Sequence, residues 1–149
     1  LRKVVKQPLI VNQMQWSLAE SRMVDAGLNV NTGSENGVMR EGGVLEFCRA
    51  EGIAIQAWSP LQFGPIQGVF LNNPAYAALN TEIGRLAGQY GVSDTAVALA
   101  WILRHPAAPQ VITGTVSRRR IPALLEAGRV ELTRPEWYGL YRAAGNPLP

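Results

Sequence analysis

The sequence is poor in the residues that most often carry chemistry on their own. It holds one cysteine, Cys48, and one histidine, His105, in 149 residues. A lone cysteine excludes an intrachain disulfide framework and a zinc cluster built on thiolates. A lone histidine excludes a histidine-rich metal site and leaves an imidazole-based catalytic triad without support. No apolar run reaches the ~18 residues of a membrane-crossing helix, and no secretory leader is visible, so the default address is the cytoplasm. There is no GxGxxG after a strand and no P-loop. Charged residues make up 17% and hydrophobic ones 47%, too apolar for a disordered chain. The net charge is +3, and twelve of the fourteen basic residues are arginines. They are scattered, except for Arg118, Arg119 and Arg120, and aromatics do not alternate with them as a single-strand-binding surface requires. Nucleic acid is therefore excluded, whereas three adjacent arginines suit a compact anion such as a phosphate.

Apolar runs and helical periodicity set the organisation. Residues 8–14 (PLIVNQM) read as a buried strand. The glycine- and asparagine-rich stretch 17–42 reads as a long loop insertion. Val44, Phe47 and Cys48 fall on one face of a short helix over 43–50. A second strand over 53–59 is stopped by Ser59-Pro60, because proline has no N–H for the ladder. A second loop spans 60–73. Asn73-Pro74 starts a helix running to Gly91, and Ser93 caps the next, which ends at His105-Pro106. Residues 110–115 (QVITGT) read as a third strand. A helix with Ile121, Leu124 and Leu125 turned inward follows, and Thr133 and Glu136 stand in capping-box spacing before a last helix.

Apolar strands separated by helices predict parallel strands in an α/β fold. The closed solutions are a doubly wound sheet or a β/α barrel, and three strands are too few for either. Together with an opening Leu1 in place of methionine, this predicts that the one domain, 1–149, is part of a larger fold.

Functional side chains in such folds stand just beyond the strands' carboxyl ends. Three places qualify. Gln13, at the end of the first strand, offers both a donor and an acceptor to a ligand amide, or is satisfied by its neighbours. Trp58 offers a flat apolar face to a planar ring, and the backbone beyond Pro60, through Ser59 and Leu61, leaves N–H groups free for an anion. Gly114, Thr115, Ser117 and Arg118–Arg120 lead into a helix start, where free N–H groups, hydroxyls and guanidiniums converge on an anion. His105 reads as a helix C-terminal histidine favouring the dipole, and Cys48 as packing. No metal ligands cluster.

The ordered set Val11-Asn12-Gln13-Met14, Ala57-Trp58-Ser59-Pro60-Leu61, Ala98-Leu99-Ala100-Trp101 with Arg104-His105-Pro106, Gly114-Thr115 through Arg120-Ile121, and Leu132-Thr133-Arg134 through Glu136-Trp137-Tyr138 resembles the aldo-keto reductases, in particular their YdhF-like bacterial branch. The resemblance covers only the C-terminal half of that family's chain. It implies a partial (β/α)8 TIM barrel comprising strands six to eight, and an NADP-dependent oxidoreductase that reduces small carbonyl compounds by hydride transfer. Under it, Gln13 matches the residue holding the nicotinamide carboxamide, and Trp58 the aromatic stacked on the nicotinamide. Ser59, Pro60 and Leu61 match the pyrophosphate turn, and Thr115, Ser117 and Arg120 the grip on the adenosine 2′-phosphate.

Two positions depart from the pattern. Gly114 stands where many relatives carry a lysine, and the acid and asparagine that hold adenine fall at Ala123 and Leu124. The family's catalytic Asp, Tyr, Lys and His belong to the first half of the barrel, so no catalytic residue is assigned here. The implied partner is the missing N-terminal half-barrel. Two other classes stay open beside the enzyme: a non-catalytic half-barrel acting through its strand edges, and a stand-alone phosphate-ligand-binding module.

Overall fold

The computed structural model describes residues 4–64 and 67–149. Three strands, β1 (Val11–Gln15), β2 (Ala54–Trp58) and β3 (Gln110–Val111), form one parallel sheet in the order β1-β2-β3. The register pairs Gln13 with Gln56 and Gln56 with Gln110. The helices are α1 (Arg22–Leu28), α2 (Val44–Ala50), α3 (Ala77–Tyr90), α4 (Asp94–Leu103), α5 (Ile121–Leu125) and α6 (Arg134–Ala143). Each strand is followed by helical segments before the next, as parallel pairing requires.

Strand alternation divides the sheet into two faces. Ile55 and Ala57 point toward the helices and join a core with Trp16, Leu79, Ile83 and Trp101. The other face is open among the described residues. Ile10 is 68% exposed and Val11 41%, whereas Ile55 is 1% exposed. Val11 thus lies on the open face and Ile10 is exposed just before β1, whereas the alternation turns Ile55 to the helical side.

The helices follow from local chemistry. The Ser93 hydroxyl accepts the Ala96 N–H to start α4. That helix is buried from Ala96 through Ile102, as expected for a helix apolar on all sides. The Thr133–Glu136 capping box forms, with both its reciprocal bonds. Gly91 closes α3 in the left-handed region at φ 66°, a conformation that costs a residue without Cβ nothing. The two tryptophans Trp101 and Trp137 join α4 to α6. Their rings stack 4.7 Å apart, and each indole N–H donates to the other's backbone carbonyl at 3.0 and 2.9 Å.

Three expectations require correction. The 17–42 stretch is not one loop: it contains α1 and a 3-10 turn over Glu35–Gly37. Met23 and Val24 anchor α1 in the core, and the Tyr141 hydroxyl donates to Asp25 at 2.8 Å, so tertiary contacts outweigh weak local propensity. The third strand is two residues long, not six. Its partner β2 ends at Trp58, the next residue Ser59 has φ +49°, and Pro60 follows, so beyond the Ile112 N–H, bonded to the Ala57 carbonyl at 2.9 Å, no ladder remains. Ile121 and Leu125 are not inward: Leu125 is 72% exposed, and only Leu124 of the three packs, against Ala96, Leu99 and Ala127.

Candidate functional site

Beyond the carboxyl ends of β2 and β3 lies a cavity of about 630 Å³. That is within the ~300–1,000 Å³ of small-molecule and cofactor sites. Its lining includes Trp58, Ser59, Pro60 and Leu61 from the end of β2, and Gly114, Thr115, Arg119 and Arg120 from the segment after β3. Eight of the eleven residues singled out at the strand ends thus converge on one cavity; Gln13, Ser117 and Arg118 do not line it. Among the described residues no carboxylate lines it, so the lining holds Arg119 and Arg120 without an acidic counter-ion.

The two walls differ in chemistry. On the β2 side the strand ends in the half-buried indole of Trp58, and the left-handed Ser59 turns the chain sharply into Pro60. The following residues fold back as a hairpin. The Gln62 N–H donates to the Ser59 carbonyl at 3.0 Å, Gln62 bridges Val69, and the Phe70 N–H donates to the Leu61 carbonyl at 3.1 Å. The loop expected over 60–73 is therefore a hairpin forming a rim of the cavity, with residues 65 and 66 of that loop outside the described residues. Ser17 ties this rim to the end of β1 by donating its hydroxyl to the Gln62 carbonyl at 2.6 Å.

On the β3 side the Thr115 hydroxyl accepts the Ser117 N–H at 3.2 Å, and the Arg120 N–H donates to the Ser117 carbonyl at 2.9 Å. This turn aims Arg119 and Arg120, not Ser117, at the cavity. The residues alone named the arginine triplet and the resemblance singled out Arg120; the lining also holds Arg119, which neither distinguished, because side-chain direction off an irregular turn has no periodicity. The helix that follows, α5, has only five residues, so guanidiniums and not a helix dipole supply the positive charge. A Cβ on Gly114 would meet nothing within 4 Å, so the position has room for a longer side chain. Ala123 and Leu124 close the far wall with apolar surface and no side-chain hydrogen-bonding group.

Gln13 stands outside this cavity, on the open face of the sheet. Its side chain is satisfied by a neighbour: the amide Nε2 donates to Oε1 of Gln56 at 2.7 Å. Thr95 and Leu99 of α4, with Gln62, Val69, Ile112 and Thr113, complete the lining. None of these was singled out in the sequence. Their only signal is adjacency to the two strand ends.

Chemically, the cavity offers a flat aromatic wall, a neutral turn, and two arginines with a hydroxyl. That set has the chemistry to take a planar ring joined to an anion. Among the described residues no Asp, Glu, His, Cys, Lys or Tyr lines it, so they present no side chain of the usual proton-donating types there. Among the described residues no helix is long and apolar enough to cross a membrane.

Residues 6–141 match the model of the Aldo/keto reductase family. The chain is 31% identical over 144 residues to a 6-dehydroglucose reductase of Agrobacterium fabrum, covering 97% of this chain and 41% of that protein. It is 29% identical over 103 residues to the oxidoreductase YdhF of Escherichia coli, covering 68% of this chain and 33% of that protein. It thus spans well under half the length of these relatives. In fold it is similar to the aldose reductase of Giardia lamblia, with a TM-score of 0.63 at 20% identity, over 99% of this chain and 41% of that one. The three parallel strands and their helices thus correspond to part of a β/α barrel, and the chain belongs to the aldo/keto reductase family, in its YdhF-like branch.

Proposed function

We propose that this chain carries the phosphate-gripping and ring-stacking side of an NADPH site, in a reductase that converts aldehydes or ketones by hydride transfer. The observation that carries the reading is the convergence of Trp58, the Ser59–Leu61 turn, Thr115 and Arg120 on one carboxylate-free cavity. On this reading β1, β2 and β3 are barrel strands six, seven and eight. Trp58 stacks on the nicotinamide, and the Ser59–Leu61 turn lies along the pyrophosphate. Arg120, assisted by Arg119 and Thr115, holds the adenosine 2′-phosphate, and Gln13 meets the nicotinamide carboxamide. Ser117 contributes through the turn that it shapes and not by contact. The adenine ring rests on Ala123 and Leu124 with no side chain to read its edge.

Bound reduced nicotinamide supplies the hydride. The carbonyl oxygen then needs a proton, and the cavity has no usual donor for it. We therefore assign the acid and its partners to the part of the family's barrel that this chain does not match, and the chain's own role to cofactor binding. The exposed sheet face that carries Val11 and Gln13 is the surface that a complementary half-barrel would enclose.

Cofactor preference tests the reading. Arg120→Ala weakens NADPH binding roughly ten- to a hundredfold, the worth of a charge-assisted hydrogen bond, with little effect on NADH. Fluorescence titration of both nucleotides against the two proteins measures this. Equal loss for both would show that Arg120 does not meet the 2′-phosphate.

A further inference from the structure

The three glutamines on the open sheet face form one hydrogen-bonded row. Gln13, Gln56 and Gln110 stand opposite one another in register on β1, β2 and β3. Gln13 Nε2 donates to Gln56 Oε1 at 2.7 Å, and Gln56 Nε2 donates to Gln110 Oε1 at 2.9 Å. Both bonds run in the same direction. The row therefore ends with the Gln13 carbonyl oxygen as a spare acceptor and the Gln110 NH2 as a spare donor. Strand alternation puts Trp58, two residues beyond Gln56, on the same face.

Such a row has two self-consistent states. Turning Gln13 alone would set its oxygen against the Gln56 oxygen. Turning all three together keeps both bonds, and exchanges the free acceptor of Gln13 for a free NH2. The orientation of Gln13 is thus a property of the row. We infer that Gln56 and Gln110 are positioning residues that relay an amide orientation across the sheet to Gln13, and so decide whether Gln13 presents an acceptor or a donor to the nicotinamide substituent. This rests on the NADPH reading of the site. In the observed direction Gln13 offers an acceptor, which suits the NH2 of a carboxamide and repels a carboxylate. The far end of the relay is two strand spacings away, roughly 9–10 Å.

The test compares NADP with its nicotinic-acid counterpart, identical except for a carboxylate in place of the carboxamide, by NMR titration of the 149-residue chain. The unmodified chain binds the amide form roughly tenfold more tightly, the cost of setting a carboxylate against an acceptor. Gln110→Glu, which still accepts from Gln56, keeps that preference. Gln110→Lys places a donor at the far end, reverses the row and shifts the preference toward the acid form. The lysine charge alone could also favour the acid, so the double variant Gln56→Met/Gln110→Lys keeps the charge and breaks the row. It should lose most of the shift. An unchanged ratio in Gln110→Lys, or an equal shift in the double variant, overturns the relay.

A ligand-free measurement separates the relay from the reading beneath it. The side-chain amide protons of Gln13 should exchange slowly with water in the unmodified chain and fast in Gln56→Met. Fast exchange in both overturns the row even where NADP binds. Slow exchange lost on Gln56→Met, in a chain that binds neither nucleotide, upholds the row and overturns the cofactor reading.

Discussion

His105 stays neutral in the folded chain well into the acid range. Its ring is half-buried, edge-on to Trp16 at 5.0 Å, and Nδ1 accepts the Ala107 N–H at 3.2 Å. Burial first, and then the positive charge of Arg49, push its pKa from 6.5 down to about 4. The expectation of a helix-end histidine favouring the dipole is thus corrected: an uncharged ring packs there. The consequence for stability has a definite sign. Below its ordinary pKa the unfolded chain binds a proton that the folded chain refuses, so stability falls as pH drops from about 6.5 toward 4, by about 1 kcal/mol per pH unit. His105→Asn keeps an acceptor for Ala107 and removes the titration. Thermal melts at pH 7, 6 and 5 should show the variant losing less than the unmodified chain, and parallel curves would refute the assignment. At this scale Trp58, Thr115 and Arg120 were legible in the sequence because strand ends announce themselves by Gly, Pro and hydroxyl residues. His105 was not, since burial is a property of what packs over a residue and not of its neighbours in the chain.

Helix α6 shows how one carboxylate can serve two elements. Glu136 accepts from the Thr133 N–H at 2.7 Å and the Tyr90 hydroxyl at 2.7 Å through one oxygen, and from the Gln89 amide at 2.8 Å through the other. Burial opposes its charge, but these donors outweigh that and hold its pKa down to about 2. The capping box therefore also fastens α6 to the end of α3. Thr133→Ala should cost about 1 kcal/mol, the worth of a cap, and Glu136→Ala about 2 kcal/mol, since it releases Tyr90 and Gln89 as well. Urea unfolding at pH 7 measures both, and equal costs would mean that the link to α3 contributes nothing. Because the folded pKa is depressed, this stabilisation is complete above about 4.5 and disappears as pH falls toward 2. The capping box was readable from a four-residue spacing. Helix α1 was not, because its seven residues hold no capping side chain and depend on the Asp25–Tyr141 bond across 116 positions. The shortness of β3 was equally hidden: its length is set by where β2 stops, and that belongs to another part of the sequence.

For the molecule as a whole, the open sheet face dominates behaviour. The outer edge of β1, unpaired among the described residues and with Val11 exposed beside it, invites association. The 149-residue chain alone should consume no NADPH with a panel of aldehydes, and should run larger than its 16.2 kDa monomer on size exclusion. Adding the N-terminal portion of the Agrobacterium fabrum relative, the part that this chain does not match, should restore absorbance loss at the NADPH band. Turnover by the chain alone would require an acid outside the cavity described above. That the strands are parallel and belong to a larger α/β fold was legible from three apolar segments separated by helices, but those segments suit a doubly wound sheet as well as a barrel, and the barrel was implied by the family resemblance alone. Which side chains line the cavity depended on a turn that only three-dimensional placement reveals. The strand order adds a final consequence. Because β1, β2 and β3 lie side by side in the order in which they are synthesised, no later strand has to wedge between earlier ones. Each strand–helix unit can dock on its predecessor as it leaves the ribosome. The assembly is additive in the way of masonry laid course on course: a gene could be lengthened or divided between units while leaving no gap inside the sheet, only a change in where its edge lies.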